Sequence, residues 1–432
     1  MAYPSLVTGQ TAYVSGLRAD VLTQTVPGVD LGGLATSGQP LRLIALGGSL
    51  TAGVRNGGLY REGQLTAYPN LVARQMGIAG FESPTFGPQE ANGTGFYVYD
   101  PEAGNYPRWK EVVNQKAVVQ AGDPPVFSQY LGKVDNFAVP GISGTLFNRL
   151  WYPANKGVNG AGKRWFGYQP YLWRYLPNVQ NEKDGLLDYM VGTKTYDLFM
   201  LEEKAEEWLE ILRRNKALDE SQFLWDVLAG NFYYGEIANR LLADGKKGVL
   251  FTLPSVQDYA FMQWYPTSDL KAKAAVIDIT YGGDTPKKLD SKTNFYMMPT
   301  ANVAKLFMEL KVGDFIKLTL TDADVMDQWE FLSASPHLYN EKVLKLAQQL
   351  NLAVVDLNAI YRQIHQGTYQ AEGGLRIDGS PKGNFFSSDG TYPTAIGQAV
   401  IANEVINALN RTYKSRIPLI NVSEFAQQTG AR

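Results

Sequence analysis

Short apolar runs alternate with segments of helical spacing along most of this chain, and this alternation constrains the fold more than any other feature. Residues 41–46 form an apolar run that ends in Gly47-Gly48, and the apolar side chains after Tyr68 recur at helical spacing. Comparable apolar runs occupy residues 196–201, 248–253 and 352–356, and helical segments are predicted at 237–244, 341–350 and 395–409. The pattern predicts an α/β fold with a mostly parallel sheet that helices cover on both faces.

The rest of the chain is organised around this pattern. Hydrophobic residues make up 45% of the 432 residues and charged residues 19%, which is enough apolar material for a packed core. We predict an irregular N-terminal arm over residues 1–40, one large domain over 41–412 and a C-terminal tail over 413–432. Two long insertions within the domain, at about 86–133 and 148–184, are rich in Gly, Pro and aromatic residues.

Composition argues against several classes of function. The 40 Lys and Arg residues nearly balance the 42 Asp and Glu residues, and the formal net charge of -2 gives no field that would recruit a polyanion. We therefore expect no nucleic-acid partner. The absence of cysteine excludes thiolate metal sites, and no apolar run reaches the roughly 18 residues of a transmembrane helix. Because no phosphate-binding Gly loop, zinc motif or calcium loop is present, we predict neither a cofactor nor a metal.

A serine directly follows the first predicted strand. The sequence GGSLTAG at residues 47–53 places Ser49 on a glycine-flanked turn, where the carboxyl edge of an open α/β sheet presents ligands. Such a turn exposes a hydroxyl and a free backbone N–H. Both are needed by a nucleophile in acyl transfer.

Three sequence blocks resemble the SGNH (GDSL-type) hydrolases, and in particular their large lipoprotein-like members from Bacteroidota. The blocks are GGSLTAG at 47–53, NFAVPG at 136–141 and DGTYPT at 389–394. The resemblance implies a three-layer SGNH (flavodoxin-like) fold with Ser49 as nucleophile. It also implies that the backbone N–H groups of Ser49 and Gly141 form the oxyanion hole, and that Asp389 orients the general base.

Two departures from the family pattern argue against catalysis. The family reads Asp-x-x-His-Pro in the last block, but here Tyr392 stands in place of the histidine, and a phenol that titrates near 10 is a poor base at pH 7. The family's Gly-x-Asn-Asp block is replaced after residue 201 by EEKAEEW, where Glu206 aligns with the asparagine. Asn231 is a rival for that asparagine, although an N-cap or turn role explains it more simply. We predict a non-catalytic protein that acts as a surface binding or scaffold subunit.

A working esterase or deacetylase is the alternative. It requires Ser49 to be activated by a non-standard base, and the chain has only two histidines, His337 and His365. His365 is the preferred candidate because its predicted loop precedes the last block and could fold over the site. His337 is predicted to lie just before a helix.

Other residues suggest binding. Trp151, Trp165 and Trp173 lie in the second insertion, where aromatic rings could stack on a glycan, anchor a protein partner or cover an edge of the core. The acidic residues at 202–203 and 206–207 have helical i, i+4 spacing and are predicted to form a solvated first helical turn. The resemblance further implies an exported, outer-membrane-associated protein whose partner is a protein of an outer-membrane complex, or whose ligand is a glycan or acyl group.

Overall fold

The computed structural model describes most of the chain. The described residues are 17–18, 22, 24–99, 109–142, 169–175, 186–203, 205–206, 208–209, 233–282, 287–289, 295–321, 323–326 and 329–431. The strands in these ranges are β1 (Leu43–Leu46), β2 (Phe96–Tyr99), β3 (Trp109–Val112), β4 (Val118–Gln120), β5 (Val126–Phe127), β6 (Leu198–Leu201), β7 (Lys247–Phe251), β8 (Val276–Tyr281), β9 (Lys287–Leu289), β10 (Tyr296–Met297), β11 (Phe315–Leu320), β12 (Val325–Met326) and β13 (Ala353–Val355). The helices are α1 (Ser49–Ala52), α2 (Arg61–Leu65), α3 (Tyr68–Gln75), α4 (Pro170–Trp173), α5 (Leu186–Thr193), α6 (Tyr233–Leu241), α7 (Thr267–Lys273), α8 (Ala301–Glu309), α9 (Trp329–Leu350), α10 (Leu357–His365), α11 (Ala395–Tyr413) and α12 (Val422–Thr429).

A parallel sheet of four strands lies at the centre, in the order β1-β6-β7-β13. Leu46 of β1 pairs with Leu201 of β6, and Leu201 pairs with Leu250 of β7. Every residue of β1 and β6 is buried, as expected for strands covered on both faces. The prediction of an α/β fold with a mostly parallel sheet is confirmed.

A fifth segment extends the free edge of β1. The Ala45 N–H donates to the Asp135 carbonyl at 2.9 Å, and the Phe137 N–H donates to the Ala45 carbonyl at 2.7 Å, so residues 135–139 run parallel to β1. This segment is the second along the chain and β6 is the third. Numbered by position in the chain, the order across the sheet is therefore 2-1-3-4-5.

Helices α3, α9 and α11 pack near this sheet. Helix α11 contacts α3, β7 and β13, and helix α9 contacts β7 and β13. Helix α11 continues to Tyr413, four residues beyond the predicted end, and α12 then packs against it. Ile417 and Val422 are 2% and 0% exposed, so residues assigned to the C-terminal tail are part of the core.

A second, smaller sheet was not predicted. Its strands come after β7 and before α9 along the chain. Strand β11 pairs parallel to β8, and β9 pairs antiparallel to β8. Together with α7 and α8 these strands enclose their own buried core, which includes Leu270, Ile279 and Val303. Strand β8 alternates between buried and less buried positions, as a strand with one packed face does.

The first insertion contains two antiparallel hairpins, β2–β3 and β4–β5. Arg174 links the end of β5 to residues 84–86: its guanidinium lies 3.8 Å from the centre of the Phe86 ring and donates to the carbonyls of Pro84 and Ser128. No helix in the described part of the chain is long and apolar enough to cross a membrane.

Candidate functional site

The carboxyl ends of β1, β6 and segment 135–139 meet at one edge of the central sheet. The chain order reverses here, because segment 135–139 lies on one side of β1 and β6 lies on the other. Open α/β sheets bind ligands at such a switch point. The residues that follow the three segments include Ser49, Gly141 and Glu206.

Helix α1 begins at Ser49, immediately after Gly48. Gly53 ends the helix with φ of 87°, and a Cβ there would lie 2.3 Å from the Gly63 carbonyl oxygen, so only glycine fits this close turn. Ser49 is 4% exposed and lines a cleft. Among the described residues, no side chain forms a hydrogen bond with its hydroxyl.

The Glu206 carboxylate occupies the position between the two predicted oxyanion donors. The Ser49 N–H donates to Glu206 Oε1 at 2.5 Å, and the Gly141 N–H donates to Glu206 Oε2 at 3.2 Å. Gly141 has φ of 77°, which suits glycine at the turn that directs this N–H. The two N–H groups therefore converge on one carboxylate, which belongs to the protein itself.

The two glycines before Ser49 make room for this arrangement. A Cβ on Gly48 would lie 2.3 Å from Glu206 Cγ, and a Cβ on Gly47 would lie 2.8 Å from Glu202 Oε2. A side chain at Gly48 would therefore push Glu206 away from the Ser49 N–H. The glycine pair is needed here for the close approach of two glutamates to the backbone.

Glu202 directly follows β6, four residues before Glu206, and is buried. Its Oε2 accepts hydrogen bonds from the Gly48 N–H at 3.1 Å and the Thr51 hydroxyl at 3.0 Å, while its Oε1 has no partner among the described residues. Burial, reinforced by the negative charge of Glu206, raises the pKa of Glu202 to about 7. Glu203 is also buried, and Tyr339 donates to its carboxylate at 3.1 Å.

The prediction of a solvated acidic turn is therefore wrong for Glu202 and Glu203, which are 2% and 3% exposed. Spacing along a helix fixes which residues share a face, but it does not say whether that face meets solvent or a core. Glu202 and Glu203 directly follow β6 and are not part of a helix; Glu202 lies against Gly48 and Thr51, and Glu203 lies against Tyr339.

Tyr392, at the position of the family's histidine, is 2% exposed. Its hydroxyl donates to Glu206 Oε1 at 3.4 Å. The Tyr392 hydroxyl therefore contacts the same carboxylate that accepts from the Ser49 and Gly141 N–H groups.

Asp389 holds the last block together. Its Oδ1 accepts from the backbone N–H groups of Thr391 and Tyr392, each at 2.8 Å, and from the Thr391 hydroxyl at 2.9 Å. Its Oδ2 accepts from the Gly57 N–H at 3.0 Å and the Ser387 hydroxyl at 2.9 Å. Asp389 therefore fixes the backbone around Tyr392 and joins it to the loop after α1.

These residues line one cleft with a volume of about 610 Å³. Of the predicted site residues, Ser49, Gly141, Asp389 and Tyr392 lie on it, together with Glu206. Glu206 is partly exposed in the cleft. Its carboxylate accepts from the Ser49 N–H, the Gly141 N–H and the Tyr392 hydroxyl.

Aromatic side chains form much of the cleft wall. Phe261, Trp264 and Tyr265 lie on it, and the Phe261 N–H donates to the Gly390 carbonyl at 2.9 Å, which fixes this segment against the last block. Tyr171 of α4 also lies on the wall, and burial, together with the charge of Glu206, raises its pKa to about 12.

Neither histidine lines the cleft. His365 is the last residue of α10 and its Nδ1 lies 2.8 Å from Gln263 Nε2, so the prediction that it sits in a loop over the site is wrong. His337 lies within α9 and pairs with Glu341 at 3.2 Å, so the prediction that it precedes the helix is also wrong. Helix α9 begins at Trp329, and Pro336 does not end it.

Of the three predicted binding tryptophans, only Trp173 lies within the described residues, and it does not line the cleft. Trp151, Trp165 and Asn231 lie outside the described residues. Trp173 ends α4 and is partly buried, and it is Tyr171 on the same helix that lines the cleft.

Sequence reasoning missed Phe261, Trp264 and Tyr265. A signal was present, because an aromatic-rich stretch follows shortly after the apolar run 248–253, at the same sheet edge as Ser49. In the described ranges, no group of three or more His, Asp or Glu side chains is placed to hold a metal ion.

Comparison of the chain with known families and curated proteins found no match.

Proposed function

We propose that this chain is a non-catalytic SGNH hydrolase-like protein whose cleft binds a ligand instead of hydrolysing one. Two features support the SGNH fold: the order 2-1-3-4-5 is that of flavodoxin-like sheets, and the residues of the three sequence blocks meet in one cleft. The surface location and the outer-membrane partner stay predictions of the resemblance.

One observation carries the proposal: the Glu206 carboxylate accepts hydrogen bonds from the N–H groups of Ser49 and Gly141. A substrate carbonyl could use these donors only after Glu206 had left them. Hydrogen bonds to a charged group are worth about 1.5–3 kcal/mol each, so displacement of the carboxylate would cost about 3–6 kcal/mol. At 1.36 kcal/mol per tenfold change in rate, this corresponds to about 10²–10⁴ in rate.

The missing base adds a second barrier. Tyr392 stands where an imidazole would accept the serine proton, and its hydroxyl donates to Glu206. Loss of the histidine from a serine hydrolase costs on the order of 10⁶ in kcat. Neither described histidine lines the cleft, so neither is placed to supply the base that an active esterase would require.

A fluorophosphonate probe tests the proposal, because it phosphonylates activated serines. We expect no adduct on Ser49 when the purified chain is incubated with the probe and its intact mass is measured. The Ser49→Ala variant controls for reaction elsewhere, and turnover of p-nitrophenyl acetate is measured in parallel. Stoichiometric labelling that Ser49→Ala abolishes would show an active nucleophile and refute the proposal.

A double variant links the absent reactivity to its cause. Glu206→Asn with Tyr392→His removes the carboxylate and restores an imidazole and an amide donor. We expect this variant to label faster than the wild-type chain, because the oxyanion donors become free and the serine gains a base.

A further inference from the structure

We propose that the cleft takes a ligand that carries an alkylated ammonium group, with Glu206 as its counter-charge and the aromatic side chains as its walls. The inference rests on the proposed function, because it treats the cleft as a binding site. It adds the chemical class of the ligand.

The described charged residues on the cleft are all acidic. Glu206 and Asp389 are its two carboxylates, and no Lys, Arg or His lines it among the described residues. Asp389 accepts five hydrogen bonds from nearby backbone and hydroxyl groups, so its charge is already stabilised by those donors. Glu206 therefore supplies the negative charge that a ligand would meet, and a carboxylate or phosphate ligand would be repelled by it.

Hydrogen bonding narrows the class of cation. Glu206 accepts from Ser49, Gly141 and Tyr392, which occupy three of the roughly four acceptor positions of a carboxylate. A primary ammonium or a guanidinium brings three to five donors that need partners. An alkylated ammonium has few or no N–H groups that need an acceptor. It therefore suits the Glu206 carboxylate, which has little remaining capacity to accept hydrogen bonds, better than a primary ammonium does.

The cleft wall provides the other half of such a site. Tyr171, Phe261, Trp264 and Tyr265 line the same cavity as Glu206. Aromatic faces attract cations through their quadrupoles, and proteins bind quaternary ammonium groups between aromatic side chains. A cavity of about 610 Å³ also has room for a further substituent beside the ammonium group.

Two probes of the same shape test the role of charge. Choline and 3,3-dimethylbutan-1-ol differ in a nitrogen that replaces a carbon, so only choline carries the positive charge. We titrate each at constant ionic strength into the wild-type chain and follow tryptophan fluorescence. We expect saturable binding of choline that is at least tenfold tighter than that of the neutral alcohol. Equal affinity for the two probes, or no saturable binding of choline, would overturn the inference.

Variants test where the charge is recognised. Glu206→Gln and Trp264→Ala should each weaken choline binding by about tenfold, the scale expected for one charge or one cation–π contact. Glu372→Gln is the matched control, because Glu372 is exposed and its side chain has no ion pair among the described residues; it should leave the affinity unchanged. Unchanged choline affinity in Glu206→Gln would also overturn the inference.

The source of the ammonium group is resolved by a third measurement. If the chain sediments with phosphatidylcholine vesicles and free choline prevents this, the ammonium group belongs to a lipid headgroup. If the chain binds choline but does not sediment with the vesicles, the ligand is a soluble compound. Either result supports the inference. The fluorophosphonate assay keeps the two proposals separate. Absent choline binding with an unlabelled Ser49 overturns the ammonium ligand alone, whereas a labelled Ser49 overturns the non-catalytic assignment.

Discussion

Replacement of Glu202 by glutamine should change how the stability of the chain depends on pH. Burial raises the pKa of Glu202 from 4.5 to about 7, with the charge of Glu206 contributing. At pH values between about 4.5 and about 7, Glu202 keeps its proton in the folded chain but has released it in the unfolded chain. The free energy of unfolding therefore falls as the pH rises from about 4.5 to about 7, and the loss is complete above that range.

The size of the effect follows from the shift. A pKa difference from 4.5 to about 7 corresponds to about 3 kcal/mol of stability lost at pH 8. Glutamine keeps an oxygen that can accept from Gly48 and Thr51, and it resembles the protonated acid. We expect Glu202→Gln to unfold like the wild-type chain near pH 4.5 and to be more stable by up to about 3 kcal/mol at pH 8.

Urea unfolding at several pH values between 4.5 and 8, followed by tryptophan fluorescence, measures this difference. Other ionisable groups contribute to both proteins, so the variant-minus-wild-type difference isolates Glu202. Glu372→Gln, an exposed control, should show no trend with pH. A difference for Glu202→Gln that stays constant across this range would refute the assignment of a buried, proton-binding Glu202.

Three further substitutions test other parts of the structure. Asp389→Asn turns an amide N–H₂ towards at least two donors of the last block and should lower stability by about 2–4 kcal/mol, measured by thermal unfolding. Arg174→Met leaves the Pro84 and Ser128 carbonyls without the guanidinium and should lower stability by about 2–5 kcal/mol in urea; an unchanged urea midpoint would contradict its structural role. Ile279→Ala removes a fully buried side chain from the smaller core and should cost about 2–5 kcal/mol. Hydrogen exchange should then accelerate in β8 and β11 while β1 and β6 stay protected, and equal acceleration in all four strands would contradict a separate core.

The sequence predicted features that depend on local pattern. The run at 41–46 and its glycine turn define β1 and the start of α1, because strand and helix periods differ and glycine marks the change. The resemblance of NFAVPG to a family block implied that Gly141 lies near Ser49, and alignment with the family placed Glu206 at its asparagine; in the structure Glu206 accepts from both N–H groups.

The features that were missed depend on tertiary packing. The burial of Glu202 and Glu203 could not be read from i, i+4 spacing, because the same pattern describes a solvated face. The smaller sheet combines short strands that are distant in sequence, and β11 pairs with β8 across more than thirty residues. The helix boundary at Trp329 was missed because Pro336 reads as a helix breaker, although it lies inside α9.

The central claim is that the Glu206 carboxylate accepts hydrogen bonds from the Ser49 and Gly141 N–H groups. Selective NMR labelling tests it directly. When glycine carries ¹³C at the carbonyl and serine carries ¹⁵N, a carbonyl-filtered amide spectrum shows only serines that follow a glycine, which are Ser49 and Ser380. A Ser380→Ala background leaves one signal. The account predicts a downfield Ser49 amide proton that moves upfield in Glu206→Ala. The same shift in both proteins would contradict the claim.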